Sequence, residues 1–407
     1  MIMRARDTLT CSHIILNEQR ILYAVLLQKN YMNKTFRIQR FSHLLITVCL
    51  VIYILNIGKN IIVPIVFAML FSFMLKPLSD FFEKYIKSRV VSILCSFLVT
   101  LIPIATTIWH FASQSFDVFK NMPAISGKIK TGINKIFSWL NRNYGFSKSQ
   151  SEEWLTESFS SVLDAPVEIV GGWVSTSSTL LISILLIFLY SFFFLLYRTS
   201  IKNFLLIQFA QRQRKEATQL IMDVQSVAQQ YLSGLALVIV ILGILNGLGL
   251  MIIGIEYAFF WGFLGAFLAV IPYIGTIMGG MLPFVFSIAT TDTLWQPIAI
   301  VILYGTVQAI EGHLITPKVV GSSVKINPLT AIIALLIGAA IWGVSGLILA
   351  LPLVGITRII CEHIDMLKPL ALLLSSELYE KRETFITDFD KEDYRISNYF
   401  RRNEKNI

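Results

Sequence analysis

Long uncharged apolar runs, separated by short basic segments, set the pattern of this chain. A helix crosses a bilayer with about 20 mainly apolar residues, so these runs predict membrane-spanning helices. The pattern therefore predicts an all-α polytopic membrane protein with about eight transmembrane helices. The apolar runs are Phe41–Asn56, Ile61–Leu75, Val90–His110, Leu180–Tyr197, Tyr231–Ile255, Tyr257–Thr291, Thr293–Ile310 and Ile326–Thr357.

Three parts of this pattern do not fit single straight helices. The first two runs are short and are joined only by Gly58-Lys59-Asn60, which predicts either a tight hairpin or one longer bent unit. The run Tyr257–Thr291 is too long for one helix and is interrupted by glycine and proline, which predicts broken or re-entrant segments. The last run, Ile326–Thr357, is long enough for two helices divided near Gly343–Gly346.

Charge and periodicity divide the chain into five regions. Residues 1–40 form a basic segment, and a second methionine, Met32, follows residues 1–31. We expect residues 1–31 to be dispensable or to result from a start-site error. The alternative is that they form an amphipathic surface helix. Residues 41–112 hold N-terminal membrane helices. Residues 113–178 balance six basic against six acidic residues and carry an apolar helical face, which predicts an amphipathic helical insertion. Residues 179–366 form the C-terminal membrane core, and 367–407 form a tail.

Lysine and arginine in the short loops predict the orientation. The N-terminal segment, residues 76–89 and residues 198–230 are all basic, and such loops favour the cytoplasm. The balanced insertion, 113–178, is then extracytoplasmic. With an even number of crossings, both termini are cytoplasmic, and we expect a multi-pass protein of the cytoplasmic (inner) membrane.

Composition excludes a soluble protein. Charged residues make up 14% of the 407 and hydrophobic residues 55%, whereas soluble domains contain about 25% charged residues. The net charge of +9 comes from basic residues beside apolar runs, without interleaved aromatic residues that could stack on bases. We therefore expect the lipid bilayer as a partner and no nucleic acid.

Enzyme signatures are absent from the sequence. It contains no HExxH, no P-loop and no GxGxxG, so we expect no enzyme, no cofactor and no metal site. The fragment Gly343-Val344-Ser345-Gly346 resembles the surroundings of intramembrane serine nucleophiles. Such a serine needs a histidine on a neighbouring helix, and the only later histidine is His363, near a predicted helix end. Small residues at a helix break explain this fragment better.

A single carboxylate stands out among the apolar runs. Glu311 follows 18 uncharged residues and has Gln308 and His313 as polar neighbours. A charge near the bilayer centre costs about 2.5–3.5 kcal/mol on insertion scales, so such a residue predicts an ion, proton or substrate site. The alternative is an interfacial carboxylate, or one paired structurally with Lys318 or Lys325. We favour the functional interpretation.

Helix-breaking residues cluster on both sides of this carboxylate. Proline and glycine free backbone groups from helical hydrogen bonds, and a bilayer tolerates such a break only where it is buried in protein or lines a watery cavity. The clusters therefore predict a translocation pathway and its gate, the alternative being kinks that only shape packing. The breakers are Pro272, Gly275, Gly279, Gly280, Pro283, Pro317, Gly321 and Pro328.

Several of these residues carry a family resemblance. Ile271-Pro272-Tyr273-Ile274-Gly275, Gln308-Ala-Ile-Glu311 and Pro317-Lys-Val-Val-Gly321 follow one another in the order of that family's blocks. Together with Asn327-Pro328 they resemble the autoinducer-2 exporter family, also described as PerM-like permeases. Leu75-Lys-Pro77-Leu-Ser-Asp80 extends the resemblance, which covers about residues 41–366.

The resemblance implies an inner-membrane protein of about eight helices that forms a homo-oligomer. Some relatives are described as exporters of the furanosyl signal autoinducer-2 (AI-2), and others as sodium(lithium)/proton antiporters. We therefore expect a secondary transporter that exports a small hydrophilic solute or signalling molecule, with Glu311 as its coupling carboxylate beside Gln308 and His313. Two alternatives stay open: a monovalent cation/proton antiporter and a non-transporting membrane scaffold.

Overall fold

The regular elements in the described part of the protein are helices. The computed structural model describes residues 42–120, 181–271, 274–291, 293–319 and 325–376, within which one isolated antiparallel bridge joins Ile326 to Ser375. The predicted all-α class is confirmed. The helices are α1 (Ser42–Ile57), α2 (Lys59–Ile86), α3 (Arg89–Lys120), α4 (Leu181–Leu196), α5 (Arg198–Ile207), α6 (Arg214–Ile253), α7 (Ala258–Leu268), α8 (Ile274–Thr290), α9 (Trp295–Ile310), α10 (Thr316–Val319), α11 (Pro328–Trp342), α12 (Val344–His363) and α13 (Lys368–Leu374).

Within the described ranges, five helical segments are long and apolar enough to cross a membrane. The pair α4 and α5 is bent by 66° and gives a sixth span if it is counted as one unit. Four shorter apolar helices, α1, α7, α8 and α11, add to these. The polytopic architecture is confirmed, while the exact count of eight stays a prediction.

Gly58 alone separates α1 from α2. Its N–H donates to Ile54 O at 2.8 Å and its carbonyl accepts from the Ile62 N–H at 2.8 Å, so the helical hydrogen-bond pattern continues through the junction. Most side chains of α1 are exposed, as expected if α1 does not fold back along α2. The two runs therefore form one longer unit interrupted at Gly58 rather than a hairpin.

The predicted division of the last apolar run is confirmed at Gly343. This glycine lies between α11 and α12 with φ 61° and ψ −135°, a region that favours glycine. One turn or so away, α11 and α12 touch at Gly338 and Gly346, where a Cβ on either residue would overlap the backbone of the other. The small residues around Ser345 thus allow two helices to pack closely.

Helix α6 is the central element of the described bundle. It contacts α2, α5, α7, α9, α10 and α12. Its closest neighbour is α7: a Cβ on Gly262 would overlap the backbone of Gly247, and Phe263 lies against Gly243. Glycines on α6 and α7 therefore bring the two backbones together, as is common between membrane helices.

Charged side chains join several helices at one end of the bundle. Arg198 on α5 forms an ion pair with Asp80 on α2 at 2.6 Å and a second one with Glu83. His363 at the end of α12 lies 3.3 Å from Asp223 on α6. Lys76 Nζ on α2 donates to Gln225 Oε1 on α6 at 3.0 Å, so these helix ends lie at the same end of the bundle. The cytoplasmic orientation of this end stays a prediction.

The predicted regional boundaries are only partly covered by the described residues. Helix α3 continues past the predicted boundary at residue 112 and ends at Lys120. The remainder of the predicted insertion, residues 121–178, lies outside the described residues, as do 1–41 and 377–407. The amphipathic insertion and the dispensable leader therefore stay predictions.

Candidate functional site

A π-helical turn, in which the hydrogen bonds join residues i and i+5, follows α9. It covers Glu311–Ile315, and the Thr316 N–H donates to Glu311 O five residues back. Gly312 lies in this turn with open space where its Cβ would be. Single π turns inside longer helices occur frequently at functional sites, because the extra residue shifts side chains off the regular α-helical face.

Both carboxylate oxygens of Glu311 accept a hydrogen bond. Gln308 Nε2 donates to Oε2 at 2.6 Å from the preceding turn, and Thr316 Oγ1 donates to Oε1 at 2.6 Å from the start of α10. Donors facing both oxygens match the acceptor-only character of an ionised carboxylate. The site therefore holds a fixed, partly buried carboxylate between two neutral donors.

The structure brings two of the three predicted polar residues together. Gln308 and Glu311 are in direct contact, whereas the His313 side chain is exposed. Within the described ranges, no hydrogen bond or ion pair joins His313 to Glu311. Nor does an ion pair between described residues join Glu311 to Lys318 or Lys325, so the structural pairing considered above is not found. The role of His313 stays a prediction.

Thr316 is the site residue that sequence reasoning missed. In an α-helix, residues five apart point about 140° away from each other, so helical spacing does not place Thr316 beside Glu311. The π turn removes this offset and brings the two side chains together. Gly312 next to a membrane carboxylate is the only signal in the sequence, and it does not by itself specify a π turn.

The glycines of the predicted pathway lie where helices approach closely. A Cβ on Gly275 would overlap Leu268 O, and one on Gly279 would lie 2.7 Å from Gly265 Cα on α7. A Cβ on Gly280 would lie 3.1 Å from Cγ of Tyr304 on α9. At these three positions the missing side chain allows close helix contacts. Their part in a pathway stays a prediction.

The predicted prolines have different positions. Pro283 is buried within α8 and has no N–H to donate to the carbonyl of Gly279. Pro317 lies in α10. Pro328 is the first residue of α11, where Asn327 Oδ1 accepts the Thr330 N–H at 2.8 Å. Pro272 and Gly321 lie outside the described residues.

The segment after Glu311 rests on the glycine-packed hairpin of α6 and α7. Ile315 and Val319 pack against a buried cluster that contains Leu242 of α6, Ala266 of α7 and Val307 of α9. The turn that carries the carboxylate is therefore attached to the central helix.

Other chemistry is not assembled in the described part of the chain. It contains no group of three or more His, Cys, Asp or Glu residues that could hold a metal ion. Ser345 and His363 are separated by 18 residues of one helix, which corresponds to about 27 Å. His363 instead lies against Asp223. The site can accept a proton, bind a cation or accept hydrogen bonds from a polar solute.

Comparison with known sequences identifies the family. The profile of the AI-2E family transporter matches residues 42–366, which include every helix described above from α1 to α12. The chain belongs to the AI-2E transporter family. It is a membrane transporter, and the residues Gln308, Glu311 and Thr316 lie inside the matched region.

Individual relatives cover different shares of the chain. AI-2 transport protein TqsA of Escherichia coli (strain K12) is 22% identical over 326 residues, which span 79% of this chain and 91% of TqsA. YueF of Bacillus subtilis (strain 168), named as a candidate transport protein, is 24% identical over 72% of this chain and 82% of YueF. YrrI of the same organism is 31% identical over 150 residues, which span 37% of this chain and only 42% of YrrI.

Proposed function

We propose that this AI-2E family member is a secondary transporter of the cytoplasmic (inner) membrane that exports a small hydrophilic solute or signalling molecule. The similarity to TqsA, which is named for AI-2 transport and is covered over 91% of its length, supports a solute of this kind. The sequence contains no nucleotide-binding motif, so an ion gradient or downhill solute flux drives transport. The homo-oligomer and the cytoplasmic termini belong to the same proposal.

The observation that carries the proposal is the doubly hydrogen-bonded carboxylate at the π turn. Ionisable groups within apolar helices are costly and usually functional, and Glu311 has two neutral donors and no counter-ion among the described residues. The Glu311 carboxylate is therefore available to bind a proton, a cation or a solute. In this proposal Glu311 is the coupling group, and Gln308 and Thr316 orient it.

The π turn provides a way to release the Glu311 carboxylate from its hydrogen bond with Thr316. The contact between Thr316 and Glu311 depends on i+5 geometry, because α-helical geometry would rotate the two side chains apart. A shift of this turn to α-helical geometry during the transport cycle frees Oε1 of Glu311. The carboxylate then alternates between a held state and one open to a proton or solute.

The two alternatives from the sequence fare differently. Monovalent cation/proton antiport gains no support from the relatives, which are named for transport in general or, for TqsA, for AI-2. Membership of a transporter family argues against a non-transporting scaffold. Antiport is therefore kept as an outcome of the experiment rather than as a second proposal.

The experiment uses purified protein in proteoliposomes. Uptake of labelled AI-2 is compared with uptake into protein-free liposomes, and a parallel preparation contains a pH-sensitive dye to which sodium, lithium or potassium is added under a pH gradient. The proposal predicts AI-2 flux above the protein-free level and no cation-dependent collapse of the gradient. Cation-dependent collapse without AI-2 flux would establish antiport and contradict solute export.

A further inference from the structure

Helix α5 turns away from α4 at the charged end of the bundle. Only Tyr197 separates the two helices, which meet at an angle of 66°. A transmembrane helix is tilted from the bilayer normal by about 20° on average, so a helix bent by this much from a spanning one lies closer to the membrane plane than to its normal. None of the ten residues of α5 is buried. Helix α5 therefore projects sideways from the bundle.

Charged and aromatic side chains place the start of α5 at the membrane–water interface. Arg198, its first residue, pairs with Asp80 on α2 at 2.6 Å, and Asp80 lies five residues past the apolar run Ile61–Leu75. At the same end of the bundle, Tyr85 on α2 and Tyr197 are 72% and 53% exposed. Tyrosine is enriched at membrane interfaces, where its ring lies at the level of the headgroups. Helix α5 therefore begins at the boundary between hydrocarbon and water.

The two faces of α5 differ in polarity. Side chains that recur every third residue lie within about one third of the helix circumference, and here they form an exposed apolar stripe of Ile201, Phe204 and Ile207. Arg198 and Thr199, which bond to side chains of α2 and α3, lie on the other side. A helix with one polar and one apolar face binds in the plane of the interface, with the apolar face inserted between headgroups and acyl chains.

Basic residues surround α5. The segments 80–89 and 198–216 meet here and contain eight basic and three acidic residues, a net charge of +5. Two of the acidic residues are paired with Arg198. Three lysines have no ion-pair partner among the described residues: Lys84, Lys87 and Lys202. Positive charge at the level of the headgroups complements anionic phospholipid, which attracts each basic residue close to the membrane surface.

We propose that α5 is an in-plane interfacial helix that binds anionic phospholipid at the charged end of the bundle. The apolar stripe inserts among the acyl chains, and Lys84, Lys87 and Lys202 bind the headgroup phosphates. The ion pairs of Arg198 with α2 hold the helix at this level. The bend at Tyr197 thus ends a membrane span, and α5 adds no crossing. The inference does not depend on which solute is transported.

The first test measures the depth of α5 in vesicles of equal parts phosphatidylcholine and phosphatidylglycerol. A nitroxide label is attached to Phe204→Cys or to Asn203→Cys, which is exposed away from the apolar stripe. Collision rates are measured with oxygen, which is concentrated in the acyl chains, and with a water-soluble nickel chelate. The native cysteines are first replaced by alanine: Cys11, Cys49, Cys95 and Cys361.

The ratio of oxygen to nickel collisions decides the position of the helix. We expect this ratio to be several-fold higher at Phe204→Cys than at Asn203→Cys, because only the apolar stripe enters the acyl region. Equal, low ratios at both positions would place α5 in water and overturn the proposal. Protection of Phe204→Cys from both reagents would show that protein, such as a second copy of the chain, covers the stripe, and would also overturn it.

The second test measures which lipid gathers around α5. A bimane fluorophore on Ile207→Cys is quenched by doxyl-labelled phosphatidylglycerol or doxyl-labelled phosphatidylcholine, each at the same fraction in phosphatidylcholine vesicles. We expect phosphatidylglycerol to quench about twofold more strongly, because the basic residues concentrate it locally. The same fluorophore on Ile252→Cys, an exposed apolar position at the far end of α6, should be quenched equally by the two lipids.

Neutralising the lysines tests the headgroup contacts. In the Ile207→Cys protein, Lys84→Gln with Lys202→Gln should bring the two quenchers close to equal. Lys59→Gln with Lys318→Gln removes the same charge far from α5 and should keep the preference for phosphatidylglycerol. Equal quenching with all lysines intact would overturn the anionic-lipid site. An undiminished preference in the Lys84→Gln and Lys202→Gln variant would overturn the assignment of these side chains.

Discussion

Glu311 takes both of its hydrogen bonds from its own stretch of chain. Gln308 lies three residues before it and Thr316 five residues after it, and both donors are neutral. A neutral donor orients a carboxylate without cancelling its charge, whereas a lysine or arginine partner would do both. This arrangement suits a group that must exchange its proton or ligand.

Removing one donor tests this arrangement. Thr316→Val keeps the shape of the side chain and deletes the hydroxyl that donates to Oε1. A hydrogen bond to a charged group is worth about 1.5–3 kcal/mol, so we expect solute flux to fall about tenfold or more while membrane insertion is unchanged. Flux is measured in proteoliposomes at matched protein content.

The control makes the same chemical change on the preceding helix. Thr306 is exposed on α9 and donates only to the carbonyl of Ile302, so Thr306→Val should leave flux unchanged. Equal losses in the two variants would show that any threonine change in this region disturbs the protein. Wild-type flux in Thr316→Val would contradict a role for this contact.

The sequence predicts contacts between residues on neighbouring turns of a regular helix better than contacts that depend on a π turn. The i, i+3 spacing of Gln308 and Glu311 is enough to predict their contact, because neighbouring turns of any helix bring such residues together. Thr316 escapes prediction because its position depends on a π turn. His313, two residues from Glu311, has the spacing that a helix places on another face, and its side chain is exposed.

At the element scale, close glycine contacts determine which helices pair. Gly338 and Gly346 bring α11 against α12, and Gly247 and Gly262 do the same for α6 and α7. In a bilayer, helices gain little from burying apolar surface against one another, so close packing of backbones supplies much of the association energy. The hairpins therefore depend on residues without side chains.

Gly346→Ala tests this dependence. Its Cβ would overlap Gly338 O, and backbone cannot move aside as a flexible side chain can. Overpacking of this kind costs about 1–3 kcal/mol, so we expect a lower melting temperature and less assembled protein. Gly305→Ala, where the added Cβ meets nothing within 4 Å, should keep or slightly raise the melting temperature. Equal melting temperatures of Gly346→Ala and Gly305→Ala would contradict the packing argument.

The sequence predicts where helices break but not what the break does. The division at Gly343 follows from run length and glycine content and is confirmed. For Gly275, Gly279 and Gly280, a watery path and a tight helix contact both require a missing side chain. The close contacts of these glycines with Leu268, Gly265 and Tyr304 are set by tertiary packing, which one sequence does not reveal.

At the scale of the whole molecule, the start of the tail is part of the fold. Asn327 Nδ2 donates to Leu373 O at 2.6 Å, and the Asn327 N–H donates to Leu374 O at 3.0 Å. The Ser376 N–H donates to Lys325 O at 3.0 Å. Segment 373–376 thereby holds Lys325 and Asn327 in place directly before α11.

Two truncations follow from this contact. Deletion of residues 377–407 leaves all of these hydrogen bonds in place, so we expect wild-type flux and melting temperature. Deletion from Lys368 onwards removes α13 and the hydrogen bonds that Asn327 donates to segment 373–376, and we expect a lower melting temperature and reduced flux. Loss of function on removal of 377–407 alone, with normal assembly, would favour the scaffold alternative over transport.

Long-range contacts of this kind cannot be predicted from one sequence. The apolar runs and the basic loops predict an all-α membrane protein with several charged ends on one side. They do not predict that Arg198 meets Asp80, or that Asp223 meets His363, because these partners are more than 100 residues apart and each charge has several candidate partners. The central position of α6 likewise follows only from packing.

The measurement that tests the central claim most directly is solute flux of Glu311→Gln. Glutamine keeps the shape of the side chain and removes its charge, and the control is Glu256→Gln, an exposed carboxylate in the turn between α6 and α7. Both variants are assembled into proteoliposomes beside wild type, and initial rates of labelled AI-2 uptake are compared at equal protein content. We expect Glu311→Gln to abolish coupled flux while Glu256→Gln keeps the wild-type rate. Wild-type flux in correctly assembled Glu311→Gln would contradict the account.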